Sequence, residues 1–168
     1  FDLAWSIGRW VGAGLLVTAV VGSGIAAARL SPSDVGLQLA ENAAATGAAL
    51  AVIILLVGPV SGAHLNPVVS LADWWLGRRS QTGLRLPEVA GYTAAQTGGG
   101  IAGTVLANLM YAKPAVSFST HHRTGGHLWL SEAVATAGLV AVVFALARSH
   151  QAGLSAATIG AYIGMTSR

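Results

Sequence analysis

A chain of 168 residues that is 54% hydrophobic and only 9% charged, with mean hydropathy +0.64, is unlike a soluble domain, where about a quarter of the residues are charged. The pI near 10.0 comes from nine Lys and Arg over six Asp and Glu, too scattered for the basic stripe that nucleic acid requires. No cysteine is present, which excludes disulfides, thiol catalysis and Cys-based metal sites; what remains is an integral membrane protein, one domain over 1–168.

The chain opens on Phe1, which reads as a trimmed N-terminus with no signal peptide. A spanning helix needs about 20 mostly apolar residues. Trp10–Ala28 meets this and is closed by Arg29 and Ser31-Pro32. Ala43–Val60 is the second predicted span, ending at Gly58-Pro59. Ala63–Leu76 is apolar but too short to cross, and carries Asn66-Pro67. Glu88–Ala112 is a third span, interrupted by Gln96, Thr97 and Asn108. Leu128–Ala147 is the fourth, between His127 and Arg148, and Ala152–Gly164 begins a fifth. With the N-terminus in the cytoplasm and 63–76 dipping in and returning, Arg9, Arg78, Arg79, Arg85 and Arg148 fall inside, and Arg29, Lys113 and Arg123 outside. That balance follows the positive-inside rule.

Glycine pairs at Gly8/Gly12, Gly99/Gly103 and Gly160/Gly164 predict close helix crossings, because small residues let backbones approach in lipid. Gly12-Ala13-Gly14-Leu15-Leu16-Val17 and Thr136-Ala137-Gly138-Leu139-Val140 open the first and fourth spans alike. The fourth span is three crossings on from the first, so the copies cross in opposite directions, as in an inverted repeat. The first repeat covers about 1–112 and a partial second about 128–168.

The chemistry lies in Ser61-Gly62-Ala63-His64-Leu65-Asn66-Pro67-Val68-Val69-Ser70. Proline suits the first turn of a helix and asparagine its N-cap, so a helix is expected from Asn66 to about Leu76, after extended backbone. Non-helical backbone at membrane depth survives only where it is buried in protein or lines a cavity. The segment therefore predicts a re-entrant loop feeding a half-helix. The carbonyls of Gly62, Ala63, His64 and Leu65 would form a ladder of acceptors, and the Asn66 amide would donate at the midplane. The positive end of the half-helix dipole would deter cations and protons. A neutral solute can exchange its water shell for these groups without any catalytic residue, cofactor or metal.

The segment Ser61-Gly62-Ala63-His64-Leu65-Asn66-Pro67 resembles the first pore-loop signature of the aquaporin, or major intrinsic protein, family. Tyr92-Thr93-Ala94-Ala95-Gln96 is similar to the family's third-helix motif, and Glu132 with Thr136 and Gly138 to the opening of its fourth helix. The resemblance implies an all-α membrane fold, a right-handed bundle with an inverted repeat and a re-entrant half-helix. It also implies a homotetramer with one pore per subunit, set in the lipid bilayer of a bacterial plasma membrane. The implied activity is passive passage of water and small neutral solutes, and not an enzyme reaction.

This chain departs from the family pattern at several points. Asn66-Pro67-Val68 replaces Asn-Pro-Ala, which adds volume behind the half-helix tip. Arg9 stands where the family's first helix has Glu. No second Asn-Pro half-helix, selectivity arginine or sixth span follows, so the fold is expected to be incomplete at its C-terminus, as a fragment or a shortened homologue. The latter could be a non-conducting assembly module. The family's second-helix constriction residue corresponds to Thr46, small and polar, which implies a wide filter open to glycerol or to neutral metalloid hydroxides such as arsenite. Glu132 is implied to brace a pore loop, and Gln96 and Tyr92 to bond between helices. His121, His122 and His127 read as a solvated loop rather than a metal site, and His64 as a brace of its own loop. Trp5, Trp10, Trp74, Trp75 and Trp129 suit an interfacial belt, and Arg78-Arg79 the solvated end of the half-helix.

Overall fold

The computed structural model describes residues 3–61, 65–117, 125–148, 158–163 and 165. Among them there are helices and no strands. The helices are α1 (Leu3–Leu30), α2 (Val35–Ser61), α3 (Pro67–Gly77), α4 (Leu86–Met110) and α5 (Gly126–Arg148), and 158–163 is helical as well. Three of these helices are long and apolar enough to cross a membrane, over Ser6–Leu30, Val35–Pro59 and Gly126–Ala145. α4 has the length but not the hydropathy, as its Gln96, Thr97 and Asn108 lead one to expect.

Local chemistry sets the ends. After Ser31-Pro32, Asp34 caps α2, its carboxylate accepting from Leu37 N–H at 2.9 Å. α2 runs past Gly58-Pro59, with Pro59 inside its last turn. The helix ends two residues after Pro59, at Ser61, one residue beyond the expected Val60. Glu88 accepts from the Arg85 N–H at 2.7 Å and fixes the start of α4. The far end of α4 closes with Lys113 N–H donating to Asn108 O at 2.8 Å and Ala112 N–H to Leu109 O at 3.1 Å. This is a Schellman turn with Ala112 at φ 54°, where glycine is usual.

α1 is the centre of the bundle, packed between α2 and α4. Ser23 donates to Asn42 Oδ1 at 2.7 Å and Gly12 faces Val57, so α2 runs antiparallel to α1. Trp10 faces Gly98 and Gly22 faces Tyr111, so α4 runs parallel to it. The crossing of α1 and α4 is glycine on glycine. A Cβ added to Gly103 would fall on the Gly14 carbonyl, and one on Gly99 would lie on the Trp10 carbonyl. Thr18 locks the crossing by donating to Gly14 O at 2.8 Å and Gly103 O at 3.1 Å. Gly99/Gly103 packs as expected, but its partner is Gly14 and not the Gly8/Gly12 pair. Gly12 lies about 160° round the helix from Gly14 and turns to Val57 and Leu65 instead. Gly160 closes on the Gly47 carbonyl of α2, while Gly164 lies outside the described residues.

Burial is distributed as a bilayer requires. Ile7, Val11, Leu15, Val52, Leu55, Leu56 and Ile101 are exposed, whereas Arg9, Thr46, Ser70, Gln96 and Asn108 are buried. The apolar side chains face outward, and these polar ones are buried inside the bundle.

Candidate functional site

Asn66 has extended geometry, φ −128° and ψ 127°, as the residue before a proline prefers. Pro67 therefore takes the first helical position, and Asn66 is the cap instead of the first turn. Its carboxamide oxygen accepts from Val68 N–H at 2.8 Å, and its backbone carbonyl accepts from Val69 N–H at 3.1 Å and Ser70 N–H at 3.2 Å. The oxygen end is committed to the helix, and the NH2 is the donor end of the side chain. α3 then runs to Gly77, about 16 Å at the usual rise.

The tip lies within the bundle. Leu65, next to Asn66, is packed so near α1 that a Cβ on Gly12 would stand 2.6 Å from its Cδ2. Gly12 is nine residues into α1, about 13 Å from its start. At the other end, Leu84 N–H donates to the Asp73 carboxylate at 2.9 Å. α3 thus descends from the interior to the end where α4 begins, a half-helix that returns to the face where α1 begins. Gly62, Ala63 and His64, the expected acceptor ladder, lie outside the described residues, as do His121 and His122.

Val68 is 42% exposed. It stands one residue beyond Pro67, a turn of about 100° round the helix. Thr46 is buried, its hydroxyl donating to Asn42 Oδ1 at 3.5 Å on the α2 stripe that faces α1. It stands eleven residues from Val57, about 16 Å along the axis, at a level well separated from Asn66. Glu132 lies on an exposed part of α5. Gln96 and Tyr92 are buried on α4, and Ser70 on α3 has no exposed surface. Ser70 lies four residues after Asn66, the same face of a helix, which is the signal that could have found it.

Arg9, counted among the inner charges and standing where the family's first helix has Glu, is 1% exposed, with its guanidinium carbon 3.3 Å from the Tyr92 ring centroid. The ring face offers the buried cation an electrostatic partner. Arg29 repeats the pairing at the other end of the same helices, donating to Tyr111 O at 2.6 Å, 5.3 Å from that ring's centroid. The sequence signal was the matched Arg and Tyr spacing on two parallel helices.

A family model described as Major intrinsic protein matches residues 5–167. Aquaglyceroporin AqpS of Rhizobium meliloti (strain 1021) is 47% identical over 152 residues, which are 90% of this chain and 63% of that protein. Probable aquaporin NIP7-1 of Arabidopsis thaliana is 35% identical over 64% of this chain and 39% of its own length. Propanediol uptake facilitator PduF of Citrobacter freundii is 28% identical over 71% of this chain and 42% of its own length. The chain spans less than two thirds of the length of each of these relatives.

Proposed function

The chain belongs to the major intrinsic protein family, and on that premise we propose that it forms a passive transmembrane channel for water and small neutral solutes. The observation that carries this reading is the half-helix α3, capped by Asn66 with its tip inside the bundle. A solute reaching the tip exchanges water for the carbonyls of Gly62–Leu65 and the Asn66 NH2. The α3 dipole, positive at its start, raises the barrier to cations. Pro67 and Val68 hold the first turn at the lumen. Thr46 sets a second, wider level, which suits glycerol, the solute class in the name of the Rhizobium relative, or neutral metalloid hydroxides such as arsenite. Glu132 braces the pore from α5, and Gln96 and Tyr92 brace it from α4. In this reading the protein is a homotetramer in the plasma membrane with its N-terminus cytoplasmic, built from the repeats 1–112 and 128–168.

The test is stopped-flow swelling of proteoliposomes in water and in glycerol gradients. Asn66→Leu, similar in size but without the amide, is expected to slow both fluxes at least tenfold with the protein level unchanged. Equal swelling of the variant and the native protein would defeat the reading. Vesicles that swell no faster than protein-free ones would favour the non-conducting assembly module instead.

A further inference from the structure

The loop joining α3 to α4 is closed on itself. A Cβ added to Gly83 would stand 3.0 Å from Gly77 Cα, and Thr82 N–H donates to Gly77 O at 3.2 Å. Gln81 takes the left-handed turn at φ 58°. The closure makes Arg78 and Arg79 leave the point where Arg85 arrives, and all three are exposed. Arg78 lies face-on to Trp75, 3.3 Å from guanidinium carbon to ring centroid. Stacking fixes the plane of the guanidinium and keeps its N–H edges available for an oxyanion. The two nearby carboxylates each accept from backbone, Asp73 from Leu84 N–H and Glu88 from Arg85 N–H.

Beside the arginines the surface turns apolar. Trp75 is 54% exposed, and Leu76 and Leu86 are exposed as well. Trp74 and Trp75 pack edge to face at 5.9 Å. Basic groups next to exposed aromatic and aliphatic ones, at the end of membrane-length helices, match the level of a bilayer where phosphates meet acyl chains. We propose that Arg78, Arg79 and Arg85 bind the phosphate of an anionic phospholipid headgroup, with Trp75, Leu76 and Leu86 set against its acyl chains. The apolar shelf is what selects a lipid over a free phosphate.

The test is a titration of the detergent-solubilised protein with phosphatidylglycerol, phosphatidylcholine or inorganic phosphate, reading thermal midpoint and lipid retained by native mass spectrometry. Phosphatidylglycerol is expected to raise the midpoint and be retained, and the other two are not. Arg79→Gln should weaken retention about fivefold, the contribution of one arginine near an anionic surface, and Arg78→Gln at least as much. Lys113→Gln, past the far end of α4, should leave it unchanged. Should Arg78→Gln fold poorly, Arg79→Gln, exposed and outside the stack, carries the comparison. Equal retention of the two lipids, inorganic phosphate matching the lipid, full retention in Arg79→Gln, or the same loss in Lys113→Gln would each overturn the proposal.

Discussion

Replacing Gly99 with alanine is expected to prise α1 from α4. The added Cβ would fall on the Trp10 carbonyl oxygen and stand 3.2 Å from the Gly14 nitrogen. Both are backbone, so no rotamer change makes room and the helices themselves must separate. Overpacking costs about 1–3 kcal/mol, and a collision with rigid backbone belongs near the top of that range. The adjacent Gly100 is a control within the same turn, because its Cβ would meet Val17 Cγ2 at 3.5 Å, an ordinary contact. Alanine there should be neutral or stabilise by a few tenths of a kcal/mol through helix propensity. A gap of about 3 kcal/mol is more than a hundredfold in the folded-to-unfolded ratio. Unfolding by denaturing detergent, followed by circular dichroism, reads both variants on one scale. Gly103→Ala should behave like Gly99→Ala, and the double variant should cost less than the sum, since the first separation clears space for the second. The packing argument fails if Gly99→Ala and Gly100→Ala unfold at the same midpoint.

Ala112→Gly should stabilise the protein by about 0.5–1 kcal/mol, because relief of the left-handed penalty exceeds glycine's extra backbone entropy; a lowered thermal midpoint would contradict the Schellman turn. Tyr92→Leu removes the ring beneath Arg9 and should cost about 2 kcal/mol. Arg9→Leu in the same background should recover part of that loss, and a double-variant cycle with no coupling between the two would refute the pairing.

Much of this arrangement can be read directly from residue order. Proline at 67 lacks an N–H and asparagine at 66 is a strong cap, so the start of α3 is local chemistry and lands within one residue of the expectation. Gly99 and Gly103 announce a crossing because four-residue spacing keeps both on one face. The partner at Gly14 is less accessible, since Gly8, Gly12 and Gly14 are equally small and only the rotation of α1 against its neighbours chooses among them. Arg9 shows the same limit. The count of inner charges says on which side it lies but not that it is buried, and its burial depends on a ring 83 residues away.

The foot of α3 has a mechanical consequence. The Asp73–Leu84 bond and the Gly77–Gly83 contact clamp the short helix at its base, so it behaves as a cantilever. A tilt of about 10° at the clamp would sweep the opposite end through about 3 Å, roughly the diameter of one water molecule, given the length of eleven residues. Mutations at the membrane surface can therefore misalign Asn66 without touching it.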